Sequence, residues 1–233
     1  MRVLAIGAHP DDIEINCVGT LIKCVKRGDT VFACHMSDGD MGHVQIMPKE
    51  LGEIRRAEAK KAGSLAGINV IWGGLHDLDI YDNKETRDKV VKIIRDVRPD
   101  FIITHCPNDY MPDHTAVSKL VFDASFSASC PHYLPELGEA VDVTPIYYMN
   151  NLSGIDFIPT YYVDISEEME LKHKMFLCHE SQVVWLKDHD NVDKGEELEI
   201  FARFYGAQCG VSHAEVFREC LASGRQRATR LLP

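Results

Sequence analysis

No stretch of this chain approaches the ~20 consecutive apolar residues that a membrane-spanning helix needs, so a helical membrane protein is not expected. Positive charge is in short supply: 25 Lys and Arg stand against 36 Asp and Glu, for a net charge of -11. Nucleic acid needs a basic face and an anionic lipid surface attracts one, so neither is expected as a partner. Eight cysteines are present, none of them in a Cys-x-x-Cys pair. Several lie inside apolar runs (31–34 and 101–106), where a free thiol packs as a small hydrophobe. No charged-then-apolar leader precedes the first strand, and a reducing cytoplasm is the expected compartment. The Gly-x-Gly-x-x-Gly fingerprint is missing after that strand. Gly-Ala-His-Pro-Asp-Asp stands there instead, and two aspartates disfavour a dinucleotide phosphate.

What is present is an alternation. At 233 residues, 45% hydrophobic and 26% charged, the chain is long enough for one large soluble α/β domain. Apolar runs at 2–8, 30–36, 69–72 and 101–105 predict strands, and helical periodicity at 13–27, 48–66, 85–97 and 113–127 predicts helices between and after them. Strand, helix and strand with short joints predict a parallel sheet. After residue 129 the pattern weakens. Strands are expected at 146–149, 160–165 and 211–217, helices at 167–178 and 195–205, and a turn at 150–154. There is no repeat and no separating linker. One domain is expected: a core at 1–128, an extension at 129–222 packed on the same sheet, and a poorly packed basic tail at 223–233.

The chain is organised around residues 2–16, RVLAIGAHPDDIEIN. The first strand stops at His9, Pro10, Asp11 and Asp12, with Glu14 on the opening turn of a helix. One imidazole and two carboxylates thus share the carboxyl end of a strand, where open α/β sheets bind ligands. Imidazole with carboxylate suits zinc, and adjacent carboxylates repel unless a cation or proton lies between them. Alone, this cluster is equally compatible with an N-capping loop in which Asp11 or Asp12 caps the helix. A second cluster changes the balance. The fourth strand ends in His105, and Pro107-Asn-Asp-Tyr-Met-Pro-Asp-His114 leads into the next helix. First and fourth strands are neighbours in the common doubly wound order, so the two clusters should face one crevice. Zinc, or another divalent ion, is the expected cofactor.

These motifs resemble the PIG-L/LmbE family of zinc-dependent N-deacetylases. Residues 54–62, IRRAEAKKA, are similar to the family's arginine-bearing helix, and 179–182 and 210–217 to its C-terminal signatures. The resemblance implies a Rossmann-like three-layer sandwich with a mostly parallel, doubly wound sheet and a C-terminal α/β extension. It implies zinc held by His9, Asp12 and His114, with Asp11 as general base, and a homo-oligomer, often a hexamer. Three protein ligands leave a fourth position for water, as a catalytic zinc requires. Asp113 is a candidate to support a ligand from behind. Arg55 matches the family's substrate-binding arginine, and Asp40 and Tyr110 are further candidates for substrate contact.

One position departs from the family. Many members carry a second histidine where this chain has Met111, and methionine cannot donate a hydrogen bond to an oxyanion. Tyr110, His105 and His213 are the candidate replacements. His213 is favoured as a catalytic group, and His105 is read as structural. His35 is expected in the core, His43 and His76 near the crevice, and His173 and His189 at the surface. The expected activity is hydrolytic removal of an N-acetyl group from an N-acetylglucosamine-type sugar or conjugate. The alternatives are an amidase acting on a larger amide conjugate, and a non-catalytic Rossmann-like protein that holds a metal or ligand.

Overall fold

The computed structural model describes residues 1–151 and 156–233. Among the described residues, seven strands form one sheet: β1 (Arg2–Gly7), β2 (Thr30–Ser37), β3 (Asn69–Leu75), β4 (Phe101–Thr104), β5 (Ile146–Met149), β6 (Tyr161–Asp164) and β7 (Ala214–Glu219). Their order is β3-β2-β1-β4-β5-β7-β6. The first five pair in parallel, while β7 is antiparallel to both β5 and β6. The C-terminal third therefore widens the first sheet. The expected neighbours, β1 and β4, pair directly from Val3–Phe101 to Ile6–Thr104.

Alternate residues of the strands feed two cores. Val3, Ala5, Val31, Phe101, Ile103 and Tyr147 point to one face, and Leu4, Ile6, Cys34, Ile102, Ile146 and Tyr148 to the other. A strand buried on both faces has no polar side, which is why these runs read as continuously apolar. The first core is closed by α1 (Asp12–Asn16), α2 (Val18–Lys26), α3 (Pro48–Ala66), α6 (Met169–Phe176) and α8 (Lys194–Cys209). The second is closed by α4 (Lys84–Val97) and α5 (Pro112–Ser127) through Val90, Val91, Ile94, Val117, Leu120 and Val121.

Three expectations need correction. The helix expected over 13–27 is two helices, broken at Cys17, whose φ of -149° and ψ of 2° leave the helical region. The break lets two buried charges reach the exposed ends. Glu215 of β7 accepts from Gly19 N (2.9 Å) and Thr20 N (2.7 Å) at the start of α2. Lys172 of α6 donates to Ile15 O and to Glu215, each at 2.7 Å. Second, α7 (Glu180–Asp190) was not expected; Gln182 is its only buried residue, so it carries no apolar stripe to read. Third, the basic tail, though mostly exposed, is anchored at two points. Arg225 is buried, donates to Phe122 O (2.9 Å) and Ser125 Oγ (3.0 Å), and Leu232 enters the first core. Of the turn expected at 150–154, residues 152–154 lie outside the described residues.

Candidate metal centre

The carboxyl ends of β1, β4 and β5 open onto a cavity of about 220 Å³, lined among others by His9, Asp11, Asp12, Asp109, His114 and Asn150. His9 and Asp12 flank the turn from β1 into α1. His9 N donates to Asp12 Oδ2 (2.7 Å), and Asn16 Nδ2 to Asp12 O (2.9 Å), so the turn is fixed from both sides. Asp11 occupies the N-cap position of α1, but its side chain makes no capping bond. Its carboxylate is left for the cavity.

The second cluster meets the first across the β1–β4 pair. His114 Nε2 lies 3.2 Å from Asp12 Oδ1, and His9 Nδ1 lies 3.5 Å from Asp12 Oδ2. The opposite nitrogens of both rings are tied to carboxylates: His9 Nε2 to Asp77 (3.0 Å) and Asp113 (3.2 Å), His114 Nδ1 to Asp109 (3.0 Å). Carboxylate backing of this kind orients a metal-ligating imidazole. Among the described residues, His114 Nε2 is buried with no hydrogen-bond partner. The ligand atoms of His9, Asp12 and His114 lie within 4.8 Å of one another, so the set fits a divalent ion of the zinc type. Two other groups, His105–Asp109–His114 and His9–Asp77–Asp113, satisfy the same spacing. Each uses a carboxylate that already holds an imidazole from behind, which favours the first group.

The charge balance is tight. Burial works against a charged His114, but Asp12 and Asp109 overcome it and hold the ring up to about 9. His9 is likewise raised, against burial, by Asp113, Asp12 and Asp77. For Asp12, burial works upward, yet His114 and then His105 hold the carboxyl well below its usual range. Asp11 is pushed up by burial, with Arg55 opposing. Imidazoles drawn toward protonation by surrounding carboxylates mark a place that attracts positive charge, and a metal ion competes with protons for those nitrogens.

The remaining sequence candidates divide. Arg55, Tyr110 and Met111 line the cavity. Asp113 lies 3.2 Å from His9 Nε2 and also accepts from Leu78 N (2.8 Å), which places its carboxylate behind a candidate ligand. Asp40 does not line the cavity; it accepts from Asp77 N (3.0 Å) and pairs with His76 (2.8 Å), holding the loop that carries Asp77. His105 is buried, stacked on His114 at 3.9 Å, and accepts from Ala8 N (2.9 Å). Burial, with His114 beside it, pushes its ring down to about 4. His105 Nε2 also lies 3.1 Å from Asp12 Oδ2, so the ring braces a candidate ligand as well as the backbone. His213 is not among the cavity residues of its own chain; its Nε2 pairs with Glu199 (2.8 Å) and its N with Ser166 Oγ (3.2 Å). Asp77, Asp109, Asn150, Gln182 and Lys194 were not singled out from sequence, yet all line the cavity. For Asp109 the signal was there: it lies in the quoted loop, five residues before His114.

The family model described as GlcNAc-PI de-N-acetylase, PIG-L, matches residues 4–125, a span that holds both clusters. The chain belongs to this family. A relative, the diacetylchitobiose deacetylase of Thermococcus kodakarensis, is 30% identical over 232 residues, covering 93% of this chain and 82% of its own. Among solved structures, N,N'-diacetylchitobiose deacetylase from Pyrococcus horikoshii, complexed with its inhibitor MPG, superposes with a TM-score of 0.83 at 28% identity, covering 94% of this chain and 83% of that one. The 4-oxalmesaconate hydratase of Pseudomonas putida is 23% identical over 190 residues, covering 77% of this chain and 73% of its own. PIG-L relatives therefore include a hydratase beside the deacetylases. Among the described residues, no helix is long and apolar enough to cross a membrane.

Proposed function

We propose that this PIG-L/LmbE protein is a zinc-dependent deacetylase that removes the acetyl group from an N-acetylglucosamine-type sugar or sugar conjugate. The observation that carries this reading is the convergence of His9 Nδ1 and His114 Nε2 on Asp12, beside an uncapped Asp11 in the same cavity. His9, Asp12 and His114 would hold the ion. When bound there, zinc supplies Lewis acidity toward an amide carbonyl and lowers the pKa of a coordinated water toward 7.

The chain's own residues do the rest. Asp11 takes a proton from the attacking water as its oxygen adds to the acetamide carbon. The same carboxyl delivers that proton to the amine nitrogen as the C–N bond breaks, leaving acetate and a free amine. Asp109, Asp113 and Asp77 keep the two imidazoles aimed during the step. The cavity's charge favours this class of substrate. Asp11, Asp12, Asp77 and Asp109 line it against Arg55 and Lys194, and Arg55 donates to Pro10 O and Gly39 O and pairs with Asp11. With the two positive charges of a bound ion counted, the lining is close to neutral, which suits a neutral acetamido sugar.

The deciding experiment is primary-amine release by zinc-loaded protein from N,N'-diacetylchitobiose and a panel of N-acetylglucosamine conjugates. Release should vanish with Asp11→Asn and with metal-stripped protein. Absence of amine from every acetamide, with zinc bound, would overturn the reading.

A further inference from the structure

The motif His179-Glu-Ser-Gln182 takes no part in the chemistry above. It opens α7, and three of its side chains each reach a different element. The His179 ring is fully buried, with Nε2 3.4 Å from Glu14 Oε2 on α1. Ser181 donates twice to one carboxylate of α3: its N to Glu58 Oε1 and its Oγ to Glu58 Oε2, each at 2.7 Å. Gln182 Nε2 donates to Gly42 O (3.2 Å) in the loop after β2.

The middle contact is a cap supplied by another helix. His179 occupies the N-cap position of α7, yet its side chain makes no capping bond. A helix start has amides with no partner in the helix itself, and its positive end favours a carboxylate. Glu58 meets both needs from α3. Past its first turn α7 has little else to hold it. Gln182 is its only buried residue. Val183 packs partly against the first core, and Trp185 meets His43 at 4.5 Å.

Held this way, α7 divides space. Gln182 and Leu186, one turn apart, line the metal cavity of about 220 Å³. Ser181, Val184, Trp185 and Asp188 line a second cavity of about 510 Å³, as does Glu58, which has no place in the first. The lining changes cavity between chain neighbours, from Gly42 to His43 and from Gln182 to Ser181. The partition is therefore one helix and one loop thick, and the Gln182–Gly42 bond is where helix and loop join.

We propose that Glu58 is a positioning residue that limits substrate size: by capping α7 it holds the partition in place and confines the substrate to the metal cavity, without touching it. The selectivity part of this inference rests on the deacetylase reading above; the structural part does not.

The test compares wild type with Glu58→Ala and Ser181→Ala. Amide hydrogen exchange of the zinc-free proteins, followed by mass spectrometry, reads the latch. Loss of the cap in Glu58→Ala should speed exchange across residues 183–190 by roughly fivefold or more, while β1 and α4 keep their wild-type protection. Ser181→Ala removes one bond of the two, so its effect should be smaller and should add nothing to that of Glu58→Ala. Zinc affinity should be unchanged, because α7 carries none of the residues proposed to hold the ion. Kinetics read the partition. On N,N'-diacetylchitobiose KM should rise while kcat stays within about twofold, since the wall moves and Asp11 does not. The preference for this disaccharide over its bulkier umbelliferyl glycoside, as a ratio of kcat/KM values, should fall by roughly fivefold or more. Unchanged exchange in α7 of Glu58→Ala would overturn the inference. So would a loss of kcat at constant KM, or an unchanged preference despite faster exchange. If wild type releases no amine from any acetamide, the deacetylase reading fails by itself, and exchange in α7 still decides whether Glu58 holds the helix. If Glu58→Ala does not fold, Ser181→Ala carries both comparisons.

Discussion

The Asp109 side chain is buried behind His114, accepts from Met111 N at 3.0 Å, and holds His114 Nδ1 at the same distance. One carboxylate thus fixes the ring and the loop that brings it to Asp12. Asp109→Ala frees the ring to rotate and leaves the loop without its tether. Removal of such a support behind a metal ligand typically costs 10–100-fold in affinity, and zinc affinity should fall by about that much. Competition against a chromophoric chelator measures it, with circular dichroism to confirm an unchanged fold. An unaltered affinity would mean that packing against His105, at 3.9 Å, is enough to orient His114. At this scale the sequence is most legible where residues adjacent in the chain make one site. The two His/Asp clusters could be picked out because strand ends concentrate them, while the choice of His9, Asp12 and His114 within them came from the family resemblance. Asp77 and Asn150 could not, because they arrive from other strand ends and carry no local pattern.

Between elements, the break at Cys17 is the feature that matters. An unbroken helix would bury the amides of Gly19 and Thr20 in its own ladder. The break exposes them to Glu215, whose charge also complements the positive end of α2. Lys172 closes the arrangement by binding both Glu215 and one last-turn carbonyl of α1, Ile15 O. Both charged side chains are almost fully buried, so removing one leaves the other uncompensated. Lys172→Met should destabilise the protein by ~3–5 kcal/mol, and adding Glu215→Gln should recover part of that loss. Urea unfolding midpoints for the two singles and the double variant give the coupling directly. Strictly additive losses would count against a shared ion pair. The sequence could not announce the break, since α2 reads as a continuation of α1 until a partner 196 residues away is considered. Helices with an apolar stripe, such as α3 and α4, could be placed to within a residue. The stripe-free α7 could not.

For the whole molecule, topology does the assembling. Pairing β1 with β4 brings two motifs about a hundred residues apart in the chain onto one cavity, and that neighbourhood follows from the doubly wound order alone. The antiparallel β7 and the anchored tail do not follow from it; they depend on long-range contacts such as Arg225 with Phe122 and Ser125. A metal-binding set that draws on β1, α1 and α5 should couple binding to global stability. An ion that binds only the folded chain adds ~2.7 kcal/mol at a hundred times its Kd, which for a chain of this size raises Tm by roughly 5–10 °C. Thermal scans with zinc and with EDTA should differ by that amount, and His114→Ala should abolish the difference. An equal Tm in both conditions would place the ion elsewhere or nowhere.

The hold of Glu215 on α2 also sets an order of events in biosynthesis. A ribosome adds roughly 5–20 residues per second, so the strand that anchors α2 follows Gly19 and Thr20 by 196 and 195 positions, a delay on the order of ten seconds or more. In the latter part of that interval both His/Asp motifs have been synthesised, while the two helix-end amides still lack Glu215. The nascent chain thus passes through a period in which it owns every residue proposed to hold the ion and lacks the Glu215 anchor of α2. A chain cut short before β7 would stay in that condition, with Lys172 left without its partner.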